Sequence, residues 1–200
     1  MNKTILIATH NPNKVLEFKR ILPKIKFISL ADINDNEDFI ETATTFEANS
    51  FLKADYYFQK HGYPTISDDS GLEVEVLNQA PGIYSKRYSG GDDHANNLKL
   101  LDEMKNQTNR KAQFRCVLTF IETDDEITQF EGVMSGEIAL KLAGDSGFGY
   151  DPIFLIPSLN KTVAELGDEY KDINSHRAKA LLLLKEHIDE NTSYKWYSWR

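Results

Sequence analysis

The amino-acid sequence predicts an α/β fold built around a mixed β-sheet. Short apolar runs typical of buried strands alternate with segments whose apolar residues recur at helical spacing. Residues 112–122 alternate between apolar and polar and then become continuously apolar, and residues 127–140 form a returning strand after a turn at Asp124 and Asp125, which is typical of an antiparallel hairpin. Strands mixed with helices, together with such a hairpin, favour a mixed sheet. The 200 residues are enough for one folding unit with its own core.

The N-terminal part of the chain begins with a strand, a loop and a helix. Residues 3–8 are apolar and rich in β-branched side chains, whereas residues 9–13 are polar. Apolar residues then repeat at helical spacing until Pro23, which predicts that the helix ends there. A second strand is expected over residues 26–30.

The next helix is predicted over about residues 46–60. One of the threonines at 44–45 is the expected N-cap, and Gly62 is the expected stop signal. Asn49 and Lys53 lie four residues apart, so they share one face of this helix. That face either reaches a common ligand or is solvated.

The second half of the chain alternates strands, a glycine-rich loop and helices. Asp92 is expected to cap a helix that runs to Met104, and the glycines of the long hairpin are expected to mark bends or bulges. The last clear helix is predicted from Ser175 to Ile188. The expected core face of this helix consists of Ala178, Leu181, Leu182 and the stem of Lys185. The two hairpin glycines are Gly132 and Gly136.

Composition and charge limit the classes of function. Hydrophobic residues make up 40% of the chain and charged residues 27%, which is ordinary for a water-soluble globular protein. No apolar run approaches the roughly 20 residues that span a bilayer, and the N-terminus is too polar for a signal peptide, so we expect a cytoplasmic location. A net charge of -8 argues against nucleic-acid binding. Local cations and a metal can still hold a nucleotide in an acidic protein. Cys116, the single cysteine, is expected at a buried strand position.

The loop between the first strand and the first helix is a candidate anion site. Backbone amides and the positive end of the helix converge there, and a lysine follows in the first turn. A lysine at that end of a helix is mildly unfavourable unless an anion is also present. An ordinary solvated loop is the alternative. The candidate phosphate-binding residues of this loop are Thr9, His10, Asn11, Pro12, Asn13 and Lys14.

An acidic pair is expected at the end of a strand. Residues 65–67 and 72–77 are predicted as strands on either side of the Asp-Asp-Ser-Gly sequence at residues 68–71. Glu41 and Glu47 precede this pair and could bring further carboxylates to it. Magnesium prefers such oxygen ligands together with water and phosphates, although a solvated turn explains the same sequence.

Two further segments contain aromatic or cationic residues for which a purely structural role is not the obvious explanation. The sequence GFGYDP at residues 147–152 contains two aromatic rings, and Phe148 or Tyr150 could stack on a planar base or pack on the core. His176 and Arg177 open the last helix, where cations oppose the macrodipole unless an electronegative group binds nearby.

Taken in order, these segments resemble the inosine triphosphate pyrophosphatase family, also called non-canonical purine NTP pyrophosphatases. The resemblance runs from Ile5 to about Ile188 through the sequences ATHNPNK, ETATTFEANSFLKA, SDDSGLEV, APGIYSKRYSG, GFGYDPIF and SHRAKAL. It implies an elongated mixed sheet with flanking helices that form two lobes around a central cleft. It also implies a homodimer, Mg²⁺ as cofactor, and hydrolysis of a nucleoside triphosphate to the monophosphate and pyrophosphate. The expected organisation is one two-lobed domain over residues 1–189 and an aromatic tail over residues 190–200.

The resemblance also assigns roles to individual residues. Asp69 is the expected proton acceptor, assisted by Asp68, and Glu41 and Asp69 are the expected metal ligands. Lys53 joins the phosphate loop. The residues expected to contact the remainder of the substrate are Ser70, Phe148, Gly149, Tyr150, Asp151, Lys171, His176 and Arg177.

Selectivity for inosine and xanthosine nucleotides has a physical reason. These bases present an oxygen acceptor where adenosine presents an amino donor, so donors such as Arg177 would leave adenosine's amino group unpaired. Two departures from the family pattern stand out. Glu47 is displaced from the usual position of a glutamate, and His10 stands where glycine is common.

Two other functions compete with this one. A related pyrophosphatase could act on other altered nucleotides, including modified pyrimidines, but the sequences SHR and GFGYDP favour deaminated purines. A nucleotide-binding protein without turnover, such as a sensor, is the second alternative. The presence of Lys14, Glu41, Asp68, Asp69 and Lys53 argues against it, because a binder needs no water-activating acid.

Overall fold

The computed structural model confirms an α/β fold with a mixed sheet and flanking helices; it describes the backbone of residues 4–197 and the side chains of residues 4–190. The helices are α1 (Pro12–Ile21), α2 (Phe46–His61), α3 (Asp93–Glu103), α4 (Val163–Asn174) and α5 (His176–Tyr197). The strands are β1 (Thr4–Ile7), β2 (Lys26–Ser29), β3 (Thr65–Val74), β4 (Lys111–Thr123), β5 (Glu126–Ile138), β6 (Phe154–Ile156) and β7 (Lys161–Thr162). In this part of the chain no helix is long and apolar enough to cross a membrane.

The seven strands form one sheet in the order β2-β1-β3-β4-β5-β6-β7. β1 pairs in parallel with β2 and with β3, whereas every pairing from β3 to β7 is antiparallel. Short loops can join antiparallel strands, but parallel strands need crossover connections, which α1 and α2 supply here. The predicted hairpin is therefore the central part of a longer antiparallel region.

Separate hydrophobic clusters pack on this sheet at the two ends of the long hairpin. One cluster joins β1, α1 and α5 to the turn end of the hairpin, with Phe18, Leu118 and Leu184 at its centre. Another joins α3 and α4 to the opposite end of the hairpin around Leu72 and Phe154. Asp68 to Ser70 lie between the two clusters, so the acidic pair occupies the middle of the sheet.

The predicted interruption at the Asp-Asp-Ser-Gly sequence was wrong. β3 continues without a break from Thr65 to Val74 and pairs with β4 along its whole length. The two aspartates therefore lie in mid-strand, and their side chains alternate to opposite faces of the sheet. Ion pairs on one face of the sheet and polar neighbours on the other offset the free-energy cost of burying the two carboxylates in a strand. The turn propensity of the sequence does not include these long-range contacts.

The hairpin glycines mark close approaches of backbone, and the expected bulges are absent at both positions. Gly132 pairs with Cys116 and Gly136 with Ala112 in unbroken register. A Cβ atom on Gly132 would lie 2.0 Å from the backbone oxygen of His176, at the start of α5. On Gly136 it would lie 2.6 Å from a backbone oxygen of β6. Glycine thus allows α5 and β6 to pack directly on β5.

Several helix ends follow the predicted signals. Thr45 caps α2 by accepting a hydrogen bond from the amide of Ala48, Gly62 ends that helix in the left-handed conformation, and Asp92 caps α3. Helix α4 was missed, although Thr162 and Glu165 form a capping box that a search for this spacing would have found.

The predicted core face of α5 needs correction. Ala178, Leu181 and Leu184 are fully buried, whereas Leu182 is 47% exposed and Lys185 lies at the surface. The helical backbone continues to Tyr197, past the predicted end at Ile188. Beyond residue 190, the side chains of the predicted aromatic tail lie outside the described residues.

Candidate active site

The predicted phosphate loop is stabilised by its own side chains. Asn11 caps α1, because its side-chain oxygen Oδ1 accepts hydrogen bonds from the amides of Asn13 at 3.0 Å and Lys14 at 3.4 Å. Thr9 accepts a hydrogen bond from the amide of Asn11 at 3.2 Å, and Pro12 occupies the first position of the helix. The loop therefore has a fixed conformation at the positive end of a helix that carries no acidic residue in its first turn.

Asp68 is fully buried and collects the cations of this region. One carboxylate oxygen accepts a hydrogen bond from Lys14 Nζ at 2.5 Å and another from the Ser70 hydroxyl at 2.9 Å. The other oxygen accepts one from Arg177 Nε at 2.6 Å and one from the thiol of Cys116 at 3.4 Å. Burial alone would raise its pKa, but Arg177 and Lys14 outweigh burial and hold the pKa well below the ordinary value. Asp68 is therefore a permanent anion that orients cations.

Asp69 has the opposite character. Its side chain points to the other face of the sheet, is 6% exposed, and keeps one oxygen, Oδ2, without a hydrogen-bond donor among the described residues. Burial raises the pKa of Asp69 to about 6, and the nearby Glu41 carboxylate adds to this effect. Lys53, Lys14 and Asn49 counteract it in part. A carboxyl group with a pKa near 6 is suited to accept a proton near neutral pH.

Glu41 reaches the same face from the loop that precedes α2. It forms an ion pair with Lys53 Nζ at 2.6 Å, and Lys53 also donates a hydrogen bond to the backbone oxygen of Asp68 at 2.9 Å. Burial opposes the charge of Glu41, but Lys53 lowers its pKa overall. Glu41 is therefore an anion at neutral pH, and its charge contributes to the raised pKa of Asp69.

The donor set at this point fits a magnesium ion. Over residues 4–190, no three side chains of the His, Cys, Asp or Glu type converge on one point, so a closed protein cage is absent there. Mg²⁺ binds through one or two carboxylates and keeps water and substrate phosphates in its other positions. Glu41 and Asp69, with the unpaired Oδ2 of Asp69, meet that requirement.

A buried charge network connects the phosphate loop to the predicted base pocket. Arg177 bonds to Glu17 and Asp68 and donates from NH2 to Ser70 at 2.9 Å. Lys171 Nζ lies 2.8 Å from Glu17 and 2.7 Å from Asp151. Burial would raise the pKa of Glu17, but Arg177 and Lys171 lower it to about 2. With Lys14, which pairs with Asp68, three cations and three carboxylates compensate one another.

The glycine-rich loop places one aromatic ring over these cations. Lys171 Nζ lies 4.4 Å and the Arg177 guanidinium 5.9 Å from the centroid of the half-buried Phe148 ring. Asp151 accepts a hydrogen bond from the amide of Phe148 at 2.9 Å. Tyr150 is instead part of the core and donates to the backbone oxygen of Ser85 at 2.8 Å. Of the two rings, only Phe148 is partly exposed.

His176 and Gly149 complete the predicted set. The His176 ring stacks on Phe114 with centroids 4.8 Å apart, and burial holds its pKa well below the ordinary value, so the imidazole is neutral. Gly149 is held by α3: its amide donates to Asp93 at 2.8 Å, and its oxygen accepts from Asn97 at 2.8 Å.

Sequence reasoning missed the residues that connect these parts. Glu17 lies in α1, three residues after Lys14, and is only 3% exposed, which a charged residue in a helix that also carries Lys19 and Arg20 does not suggest. No sequence signal pointed to Asn97 and Asp93, the residues of α3 that hold Gly149. His10 was predicted to bind phosphate, but its imidazole lies 3.0 Å from the backbone oxygen of Glu37, in the loop that carries Glu41.

Comparison with known proteins gives a consistent result. Residues 5–187 match the model of the Ham1 family. A dITP/XTP pyrophosphatase of Acholeplasma laidlawii is 43% identical over 98% of both chains, and one of Staphylococcus aureus is 44% identical over 94% of this chain and 97% of its own. The solved structure of the Staphylococcus aureus Ham1 protein superposes with a TM-score of 0.86 at 44% identity, covering 94% of this chain and all of the other. This chain belongs to the Ham1 family.

Proposed function

We propose that this protein hydrolyses the non-canonical purine nucleoside triphosphates ITP, dITP and XTP to the monophosphate and pyrophosphate, with Mg²⁺ as cofactor. The observation that carries the proposal is the setting of Asp69: a buried carboxyl group with a pKa of about 6 and one oxygen free of donors. Lys53 and Glu41 adjoin it. The relatives named dITP/XTP pyrophosphatase support the reaction and the class of substrate.

The triphosphate is assigned to the end of the sheet where α1 begins. Thr9 and residues 11–13 lie at the N-terminus of α1, whose positive end favours phosphate oxygens. Lys14 and Lys53 both donate hydrogen bonds to the backbone oxygen of Asp68, so their ammonium groups lie close together. That arrangement puts two cations within reach of a single polyphosphate chain.

Glu41 and Asp69 are the residues that would hold Mg²⁺. A bound Mg²⁺ neutralises phosphate charge and lowers the pKa of an associated water. The protein itself supplies the group that accepts the proton. Asp69 accepts a proton from water, the water oxygen forms a bond to the α-phosphorus, and the bond from that phosphorus to the bridging oxygen breaks. The electron pair leaves with pyrophosphate, whose developing charge Lys14 and Lys53 offset.

Asp68 is assigned an organising role. Its carboxylate faces away from Asp69 and is saturated by Lys14, Ser70, Arg177 and Cys116. It therefore orients the phosphate-binding lysine and the base-binding arginine at once. Asp68 is not assigned as a metal ligand, because both of its carboxylate oxygens are already bonded to protein groups.

The base is assigned to the space beside Phe148, with Lys171 and Arg177 as donors. Arg177 carries five N–H groups and Lys171 three. Within the protein, Arg177 uses three of its N–H groups and Lys171 uses two. Both residues therefore keep donors for a ligand. An oxygen at position 6 of the purine satisfies such donors, whereas the amino group of adenine does not.

Two further properties belong to the proposal. The family resemblance supports a homodimer, which light scattering combined with size-exclusion chromatography would detect as twice the 22.9 kDa chain mass. The nucleotides concerned are those of the cell's own pool, so the proposed location is the cytoplasm.

Hydrolysis of ITP in water enriched with ¹⁸O tests the reaction itself. The proposal predicts one labelled oxygen in inosine monophosphate and none in pyrophosphate, because the attack is on the α-phosphorus. Label in orthophosphate, with inosine diphosphate as the other product, would show attack at the terminal phosphorus and exclude this function.

A further inference from the structure

The loop between Ile33 and α2 has no regular secondary structure, yet it carries Glu41. Loops of this kind need fixed contacts to place a functional side chain accurately. Asp35, near its start, is buried and bonds to His61 at 2.7 Å and to Lys60 at 2.8 Å. Near its end, the amide of Ala43 donates to Asn49 at 2.9 Å. Both contacts anchor the loop to α2.

A third anchor lies between these two and also involves the phosphate loop. The backbone oxygen of Glu37 accepts a hydrogen bond from the hydroxyl of Tyr57 at 2.6 Å and lies 3.0 Å from His10 Nε2. A carbonyl oxygen has two lone pairs and can accept both bonds when Nε2 carries the proton. Tyr57 is 1% exposed, and a hydrogen bond at such a buried position is stronger than one in water.

The His10 side chain leads away from the phosphates in this arrangement. Besides Glu37, its ring nitrogen lies 3.9 Å from a carboxylate oxygen of Asp38, and its ring meets that of Tyr57 edge-on at 6.5 Å. Every one of these contacts is to the Glu41 loop or to the face of α2 beneath it. The phosphate loop and the metal-binding loop are therefore joined through one carbonyl group.

We infer that His10 and Tyr57 are positioning residues, which fix the loop of residues 34–45 through the Glu37 carbonyl and so set the place of Glu41 beside Asp69. The inference rests on the proposed function for the role of Glu41, but not for the anchoring itself. The inference gives His10 a role different from phosphate binding. It also gives Tyr57 a role beyond the packing of α2.

Hydrogen–deuterium exchange of Tyr57→Phe and His10→Asn tests the anchoring without turnover. Each variant removes one bond to Glu37, and the amides of residues 36–45 should exchange about five-fold faster, the effect of one ordinary hydrogen bond. Tyr63→Phe and His94→Asn are the matched controls, because both lie outside this contact and at the surface. Unchanged exchange in residues 36–45 of Tyr57→Phe and His10→Asn would overturn the inference.

The Mg²⁺ dependence of ITP hydrolysis then separates positioning from mere anchoring. In Tyr57→Phe and His10→Asn, the Mg²⁺ concentration for half-maximal rate should rise about five-fold, while kcat at saturating Mg²⁺ stays within about two-fold of the unmodified protein. A loosened loop with an unchanged Mg²⁺ requirement would overturn the positioning role. Failure of the unmodified protein to hydrolyse ITP would instead refute the proposed function and leave the exchange result as the test of the anchoring.

Discussion

At the scale of single residues, adjacent aspartates have different electrostatic roles because a strand sends them to opposite faces. Asp68 meets Lys14 and Arg177, whereas Asp69 meets a second carboxylate and keeps a bare oxygen. The pKa of Asp68 is therefore lowered and that of Asp69 raised. Pairs of carboxyl groups whose pKa values are driven apart by their surroundings commonly mark a catalytic centre.

The first prediction concerns Asp69→Asn. The amide cannot accept the proton of water, so ITP hydrolysis should fall at least about 1000-fold, while circular dichroism shows an intact fold. The same substitution should stabilise the metal-free protein at pH 7.5 by up to about 3 kcal/mol, since it removes a buried carboxylate whose pKa is raised by about two units.

The sign of the stability effect follows from linkage. Asp69 is raised from 3.8 to about 6 in the folded protein, so the folded state binds more protons between these values and stability falls as pH rises through them. The advantage of Asp69→Asn in urea unfolding should thus be largest above pH 6 and vanish below about pH 4. A constant difference across this range, or near-normal hydrolysis by the folded variant, would contradict the assignment.

The second prediction concerns the pH dependence of the unmodified enzyme. Only ionised Asp69 can accept a proton, so kcat/KM for ITP at subsaturating Mg²⁺ should rise as pH increases through about 6 and then level off. A rate profile measured from pH 4.5 to 8 checks this. If kcat/KM does not change near pH 6, Asp69 is not the base.

The third prediction concerns Glu17→Gln. This change leaves Arg177 and Lys171 buried with one carboxylate fewer, and breaking a buried ion pair in this way costs about 3 kcal/mol. Urea unfolding at pH 7 should show that loss, and the KM for ITP should rise because both base-binding cations lose their shared anchor. Glu169→Gln, an exposed change in α4, is the control and should unfold like the unmodified protein.

The pKa of Glu17 also fixes the pH range of its contribution. Because this pKa is lowered from 4.5 to about 2, the stabilisation is complete above about pH 4.5 and is lost as pH falls toward 2. The difference between Glu17→Gln and the unmodified protein should shrink over that range. A difference that persists at pH 2 would mean that packing, and not charge, is responsible.

At the scale of elements, the site is made where α1, β3 and α5 meet. Gly132 allows this meeting, because only a residue without Cβ lets the start of α5 touch β5. The fourth prediction is that Gly132→Ala destabilises the protein by about 3 kcal/mol, since the methyl group would overlap backbone atoms that cannot move independently. It should also raise the KM for ITP, because His176 and Arg177 begin the displaced helix.

Thermal unfolding and steady-state kinetics check this prediction against Ser135→Ala, an exposed change on the same strand. Equal unfolding temperatures for Gly132→Ala and Ser135→Ala would show that the close approach of α5 has no energetic weight. A shift in unfolding temperature without any change in KM would separate the packing of α5 from the binding of the base.

Local signals predicted the elements and long-range contacts decided the exceptions. Thr45, Gly62 and Asp92 act through neighbouring backbone groups, so sequence was enough to place the ends of their helices. The unbroken β3 and the two hairpin glycines depend on β4, β6 and α5, which are distant along the chain. Patterns of nearby residues carry no record of those contacts.

At the scale of the whole molecule, the candidate site lies between the two larger hydrophobic clusters, one at each end of the long hairpin. Its parts come from residues as far apart as the phosphate loop and α5, and buried ion pairs join them. The sequence predicted most of the residues that gather here, because family motifs carry them. It did not predict Glu17, Asn97 or the His10 and Tyr57 contacts, whose meaning depends on which loop packs against which helix.

The most direct test of the account is pyrophosphate release from ITP, XTP, dITP, ATP, GTP and dTTP with Mg²⁺, repeated with a chelator. The account predicts Mg²⁺-dependent release from the first three, with kcat/KM roughly 100-fold or more above that for ATP, because the donors beside Phe148 select an oxygen at position 6. Equal rates for ITP and ATP would contradict the assigned base pocket. No pyrophosphate from any nucleotide would contradict the central claim that Asp69 activates water for attack on the α-phosphorus.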